Sequence, residues 1–373
     1  MKKILIVNEW LVGGGVEKVM KDLILSLPET EYQLTLVSFY NDKRVFRQSY
    51  PTTIKYHQLK QAYRQDHYPS RSIRHIICAV WRRAFQKVAQ TWFSIQNFDV
   101  AIAMEEGSCM NFVSKVRAKK RLAWIHTDYI SNRWTKGIFS SDEAERLCMM
   151  RYDQVVCVSQ SVAVHVKQVL GDPGNLCVRY NLVDEKAIQR ASLEKLDVPM
   201  AQKSPLLVTV GRLCEAKAYG RLQKVCKKLN DEGMQYELWI VGDGELAEEL
   251  HKQKAALCLD NVHYLGNQSN PYPYMKRADW FLCSSVTEGF STVLQESVVL
   301  GVPIISTECS GTEELLGKSK YGIMIENSEE ALYEGLRRIL TDDTVRLHYR
   351  NMVEQRKDFV DLEKRKEAIR SLL

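Results

Sequence analysis

The residues of this 373-residue chain whose types and spacing could do chemistry fall in a few short loops, each at the end of an apolar run. Gly211-Arg212-Leu213-Cys214-Glu215-Ala216-Lys217 carries two cations five residues apart. A planar guanidinium fork and a point-charge ammonium can converge on one diphosphate, although two exposed surface cations would look the same. Trp280-Phe281-Leu282-Cys283 runs on to Glu288-Gly289-Phe290-Ser291-Thr292, with Glu296 eight residues beyond Glu288. That spacing puts Glu288 at a strand end and Glu296 two turns into a helix, near the mouth of a crevice. Val241-Gly242-Asp243-Gly244-Glu245 turns through glycine into a helix, and its acids read as helix-start carboxylates rather than metal ligands. Gly13-Gly14-Gly15 precedes a helix from about Val16, where helix amides could meet an anion or simply close a tight turn. The dinucleotide fingerprint G-x-G-x-x-G fails there, because position 18 is Lys, and no G-K-[ST] follows. His126, in Trp124-Ile125-His126-Thr127-Asp128, is a candidate acid–base or packing group; Asp128 either orients it or caps the next turn.

These loops need strands and helices to hold them. Continuous apolar runs at 3–7, 33–38, 99–103, 121–125 and 154–158 read as buried strands, and so do 205–210, 236–241, 279–283 and 302–306. Runs without polar alternation suit parallel strands covered on both faces, and strands interleaved with helical segments suit doubly wound α/β architecture. The pattern restarts near 205 after a polar stretch. The expected organisation is an acceptor-binding Rossmann-like domain at 1–184, a linker at 185–204, a second Rossmann-like domain at 205–355 that binds the donor, and a C-terminal helix at 356–373 that could cross back to the first domain. The fold class is α/β, with two doubly wound domains facing a central cleft. Ligands of such sheets sit at the carboxyl ends of the strands.

Composition removes several classes. With 45% hydrophobic and 26% charged residues the chain reads as globular, and nothing approaches the ~18 apolar residues of a spanning helix. The apolar start stops at Asn8-Glu9, too early for an export signal. The ten cysteines include no C-x-x-C pair, so neither a disulfide framework nor a structural zinc is expected. Net charge is +6, divided as +9 over residues 1–200 (29 basic, 20 acidic) and −3 over the rest. Between Arg71 and Phe93, apolar Ile73, Ile77, Val80, Ala84 and Val88 recur at helical spacing beside Arg71, Arg74, Arg82, Arg83 and Lys87, with Trp81 and Trp92 near the boundary. Such a helix suits an anionic leaflet, or packing of its apolar side on the first sheet. No nucleic-acid-binding module is present.

Taken in order, Gly211-Arg212-Leu213…Lys217, Gly242-Asp243-Gly244, Glu288-Gly289-Phe290-Ser291…Glu296 and Gly301-Val302-Pro303 resemble the retaining, nucleotide-sugar-dependent glycosyltransferases of family 4, which have the two-Rossmann GT-B fold. The glycine loop, His126 and Val178-Arg179-Tyr180-Asn181-Leu182-Val183-Asp184 agree with it. The resemblance implies that Arg212 and Lys217 hold the donor diphosphate without a metal or any other cofactor. It implies that Glu296 binds the ribose, that Glu288 with the amides of Gly289, Phe290 and Ser291 contacts the transferred sugar, and that Thr292 belongs to the donor site. Gly14 and Gly15 would close on phosphate or acceptor, Gly211 and Gly242 would line the donor site, and His126 would lie near the reacting face of the sugar. Ala218 departs from the pattern, which has glycine there. The expected activity is transfer of a hexosyl residue, with a UDP-sugar favoured, to a lipid-linked glycan in surface polysaccharide synthesis. The expected place is the inner face of the cell membrane, peripheral and cytoplasmic. A soluble glycosyltransferase with a small or protein acceptor is the near alternative; a nicotinamide-dependent oxidoreductase or a non-catalytic sugar-nucleotide binder is the distant one.

Overall fold

The computed structural model describes residues 1–11, 14–40, 50–59, 87–196 and 205–373. They form two compact units. The first comprises Met1–Val158, Val162–Tyr180 and Lys366–Leu373, the second Ser159–Ser161 and Asn181–Arg365.

The first unit is built on a parallel sheet of seven strands: β1 (Lys2–Trp10), β2 (Tyr32–Tyr40), β3 (Lys55–Gln58), β4 (Phe98–Ala103), β5 (Ala118–Ile125), β6 (Gln154–Cys157) and β7 (Leu176–Val178). Their order is β3-β2-β1-β4-β5-β6-β7. Ile4, Leu5, Ile6 and Val7 are all fully buried, so β1 is covered on both faces. That is why its sequence runs apolar without alternation. Register follows directly, with Val7 beside Val37 on one side and Ala103 on the other.

The second unit repeats the plan with β8 (Leu206–Val210), β9 (Glu237–Val241), β10 (Val262–Tyr264), β11 (Trp280–Cys283), β12 (Ile304–Thr307) and β13 (Ile323–Ile325). The order is β10-β9-β8-β11-β12-β13, again parallel. Alternate residues of one strand enter opposite cores. Leu207 and Ile240 pack with Leu222, Val225, Leu229 and Leu336, whereas Leu206, Val208, Trp239 and Val241 pack with Tyr274. Each buried aliphatic side chain contributes about 1.5–3 kcal/mol over its exposed state, which fixes the layers the loops stand on.

Nine strands coincide with the apolar runs. The other four, β3, β7, β10 and β13, are short, and the residues of β3 and β7 are at most half-buried, so they do not stand out as apolar runs. The polar segment 185–204 opens with a helix, Glu185–Ala191, whose first turn is capped by Asp184 accepting from Ala187 N at 2.8 Å. It belongs to the second unit, whose main segment runs from Asn181 to Arg365. The helix Leu362–Arg370 ends in the first unit, where Arg179 Nε donates to Ala368 O at 2.8 Å and Lys2 Nζ to Leu373 O at 3.3 Å. The nine described cysteines are free. Among the described residues no helix is long and apolar enough to cross a membrane.

Candidate functional site

In each sheet the strand order reverses once, between β1 and β4 and between β8 and β11. At such a switch point the loops diverge and leave a crevice at the carboxyl ends of the strands. Both switch points are lined by charged side chains, of opposite character.

At the β8/β11 switch point, the loops after the two strands are tied by Val286 N donating to Ala216 O at 2.8 Å. Lys217 ends a short 3-10 turn, Glu215–Lys217, and Glu288 follows β11. Their side chains meet, Lys217 Nζ lying 2.5 Å from Glu288 Oε1, although 71 residues separate them. Ser285 Oγ donates to the same carboxylate oxygen at 2.8 Å, and Ser284 Oγ to Lys217 O at 2.8 Å. Burial works against the Lys217 charge, but the Glu288 carboxylate outweighs it, and the ammonium is held well above its ordinary pKa. Arg212 is exposed and takes part in no ion pair with a described residue. The sequence-predicted cations therefore stand differently: one is pre-paired and the other is open to solvent.

The glycines serve backbone approach. Gly211 N donates to Val241 O at 3.0 Å and Leu213 N to Asp243 O at 3.0 Å, so the loops after β8 and β9 lie against each other. A Cβ on Gly242 (φ +145°) would sit 2.0 Å from Gly211 O, and one on Gly244 would sit 2.5 Å from Leu213 O. Gly211 in turn leaves room for the Lys217 stem, whose Cε would lie 3.0 Å from an added Cβ. Ala218 is left-handed, φ 51° and ψ 38°, a conformation glycine adopts more cheaply. The turn has thus kept the backbone shape that favours glycine while carrying alanine.

Ser291 caps the helix Thr292–Leu300 without a side-chain hydrogen bond, and its buried Oγ has no partner among the described residues. Gly289 O accepts from Ser159 Oγ at 2.9 Å, and the Phe290 ring packs on Phe359 with centroids 6.4 Å apart. Glu296, in the second turn, is only 3% exposed and accepts from Tyr272 OH at 3.5 Å. Glu296 is thus a buried acid of the second unit.

At the β1/β4 switch point the charge is negative. Glu9 N donates to Glu105 Oε1 at 2.6 Å, joining the ends of β1 and β4. Glu106 is buried; Oε2 accepts His126 N at 3.0 Å, and Oε1 accepts the Thr127 hydroxyl and the Trp134 indole N–H, the latter at 3.0 Å. Burial lowers the His126 pKa, opposed by the Glu106 carboxylate and a hydrogen bond with the Met104 backbone. His126 Nε2 is buried and unpartnered among the described residues. Asp128 turns elsewhere, accepting Ile130 N at 2.8 Å and lying 2.9 Å from His165 Nδ1. The acid set against the His126 loop is therefore Glu106, which the sequence reading passed over. The signal was available, since Glu105-Glu106-Gly107 follows an apolar run directly.

Gly14 is the N-cap and Gly15 the first residue of the helix Gly15–Leu25; Gly13 lies outside the described residues. So do Arg71, Arg74, Trp81, Arg82 and Arg83. The last part of that basic segment is a helix over 87–94, on which Lys87, Val88 and Trp92 are exposed while Phe93 is buried.

Two parallel-sheet α/β units of this kind are what comparison with known proteins also returns. The Anabaena protein HepE, solved in complex with UDP and glucose, superimposes over 100% of this chain and 99% of its own, with a TM-score of 0.75 at 16% identity. The class is the two-domain GT-B fold. Family models match both halves, "Glycosyltransferase Family 4" over residues 13–187 and "Glycosyl transferases group 1" over 194–359. The chain belongs to the family 4 type of GT-B glycosyltransferases. Among curated relatives, a Campylobacter jejuni N-acetylgalactosamine-N,N'-diacetylbacillosaminyl-diphospho-undecaprenol 4-alpha-N-acetylgalactosaminyltransferase is 33% identical over 200 residues, 52% of this chain and 53% of its own. The Rhizobium meliloti lipopolysaccharide core biosynthesis glycosyltransferase LpsE is 28% identical over 218 residues, 57% of this chain and 62% of its own. The chain thus spans somewhat over half the length of the curated relatives it matches.

Proposed function

We propose that the protein transfers a hexosyl residue from a nucleotide sugar, a UDP-sugar in the first instance, to a hydroxyl of a lipid-linked glycan in surface polysaccharide synthesis. The observation that carries this is the Lys217–Glu288 pair at the β8/β11 switch point, with Arg212 open beside it in the same loop. Two cations at a sheet's ligand crevice suit a diphosphate, and they act where charge builds on the leaving group. In the reaction, the bond between the sugar C1 and the diphosphate oxygen breaks and C1 bonds the acceptor oxygen. The acceptor proton passes to the departing phosphate on the same face, which retains configuration. No metal is assigned to this step.

Arrival of the diphosphate gives Lys217 a second anionic partner, so Glu288 is freed to accept from hydroxyls of the transferred sugar. Glu296 takes the ribose, and the unpartnered Ser291 Oγ at the helix N-terminus adds a donor near the phosphates. The basic segment 71–93 faces an anionic membrane on the cytoplasmic side, consistent with relatives named for a diphospho-undecaprenol acceptor and for lipopolysaccharide core synthesis. A thermal-shift screen of UDP, GDP and dTDP sugars tests the donor, because a ligand of the folded state raises the melting temperature. Label transfer to a diphospho-undecaprenol glycan tests the acceptor. Absence of any shift with every nucleotide sugar sinks the reading.

A further inference from the structure

Between Glu288 and the helix Thr292–Leu300, three successive backbone carbonyls are each held by a side chain. Gly289 O accepts from Ser159 Oγ at 2.9 Å, Phe290 O from Asn181 Nδ2 at 3.4 Å, and Ser291 O from Gln295 Nε2 at 3.1 Å. All of these residues belong to the second unit. A trans peptide plane points its N–H opposite to its C=O. Anchoring the three carbonyls therefore turns the N–H groups of Phe290, Ser291 and Thr292 away from the side chains that hold them.

Two of the three anchors lead back to one residue. Arg365, near the start of the helix Leu362–Arg370, is 6% exposed. Its Nη1 donates to Asn181 O and to Gln295 Oε1, both at 2.5 Å, and its Nη2 to Phe359 O at 2.8 Å. The bond to Gln295 Oε1 decides which end of that amide faces the loop, so that Nε2 meets Ser291 O. Phe359 supplies a third route, because its ring packs on Phe290 and the guanidinium carbon lies 5.5 Å from the same ring. Phe290 is closed in further by Gly311, where an added Cβ would come within 2.3 Å of Cδ2. Asn181 and Gln295 lie 184 and 70 residues from Arg365, so only the folded chain brings them to it. A buried guanidinium is costly to place, and an apolar side chain could fill the same space more cheaply. What the guanidinium adds is direction, since its rigid fork admits one arrangement of the acceptors around it.

Resting on the glycosyltransferase reading, we propose that Arg365 is a positioning residue for the transfer: through Gln295, Asn181 and Phe359 it fixes the peptide planes after Glu288, so that the N–H groups of Phe290 and Ser291 face the transferred sugar before it arrives. Arg365 acts through these partners and not on the sugar itself. Planes set in advance need no reorganisation when charge develops, and a displacement of about 1 Å in such a shell can cost about 10²-fold in rate.

The test uses the full-length protein with UDP, UDP-glucose, UDP-galactose, UDP-N-acetylglucosamine and UDP-N-acetylgalactosamine as probes, in calorimetry and in assays of UDP release. Arg365→Met, of similar length but without donors, is expected to weaken the bound UDP-sugar by about tenfold and its turnover by about 10–100-fold, while UDP itself stays within about threefold. Arg365→Lys keeps the charge without the fork and should recover part of the turnover. Gln295→Met cuts only the branch to Ser291 and should lose about three- to tenfold. Combined with Arg365→Met, it should lose less than the product of the two single losses. If Arg365→Met does not fold, the ratio of UDP-sugar to UDP affinity in Gln295→Met and Arg365→Lys decides. A lower melting temperature with wild-type turnover and a wild-type ratio would mean packing alone and overturns the proposal. Equal losses of UDP and UDP-sugar, or losses that simply multiply, overturn it too. Residual dipolar couplings of the Phe290 and Ser291 N–H groups in ligand-free protein should change in Gln295→Met, and unchanged couplings count against the anchor. If they change while no UDP-sugar binds the wild type, the donor reading fails and the anchoring of these planes stands.

Discussion

The two sheets share one strand plan and end in opposite chemistry. Residues 1–200 carry a net charge of +9, yet the β1/β4 switch point holds Glu9, Glu105 and Glu106; residues 201–373 carry −3, yet the β8/β11 switch point presents Arg212 and Lys217. Bulk charge therefore says nothing about either crevice. What counts is which side chains the last strand residues and the loops after them deliver within a few ångströms, where Coulomb energies are largest. The acids are also treated differently. Glu288 is matched by an ammonium, whereas Glu105 meets no cation among the described residues and burial raises its pKa.

That contrast can be broken at several points. The largest effect is expected from Gly242→Ala, whose new Cβ would meet Gly211 O at 2.0 Å at a φ of +145°. A loss of about 3 kcal/mol or more in denaturant unfolding is expected; a loss under about 0.5 kcal/mol would show the two loops are not locked. Next, Lys217→Ala and Arg212→Ala should each lower turnover by about 10²–10³, the range for losing one charge-stabilising group. Wild-type turnover in either variant would remove the diphosphate assignment.

Glu106→Gln probes the acidic side. It sets an amide NH2 against at least one of the three donors, at a cost of about 1–3 kcal/mol. It also removes the charge that holds the His126 pKa up, so the NMR titration midpoint of His126 should move to lower pH. An unmoved midpoint would mean that the two groups do not interact.

Stability should also report Glu105. Its folded pKa lies above the unfolded value, so between roughly 4.5 and 8 the folded state binds the extra proton, and stability falls as pH rises through that window. Chemical denaturation from pH 5 to 8.5 should show this decline, and Glu105→Gln should reduce it by one proton's slope. The smallest effect belongs to Ala218→Gly. At φ 51° the usual penalty for glycine reverses, and a gain of up to about 1 kcal/mol is expected.

How much of this could be read beforehand depended on range. Nine strands announce themselves because burial on both faces demands unbroken apolar runs, as in Ile4–Val7. The cation loop and the Glu288…Glu296 segment were legible because each is short and local. Glu105 and Glu106 were missed because two adjacent acids on a loop look like a solvated turn until Trp134, 28 residues on from Glu106, is brought against them. The helix Glu185–Ala191 was hidden in a polar stretch because only Ile188 of its seven residues is buried.

The sequence by itself determined the strand–helix alternation, the family and the residues that could hold a diphosphate, since these rest on local pattern and short spacing. Only the tertiary structure decided that Lys217 is already paired, that Glu296 is buried, that Asp128 turns to His165, and that Glu106 stands against His126. These partners lie up to 71 residues apart. The physical reason is that ionisation and hydrogen bonding depend on neighbours and burial, which a chain acquires only when its strands are set side by side.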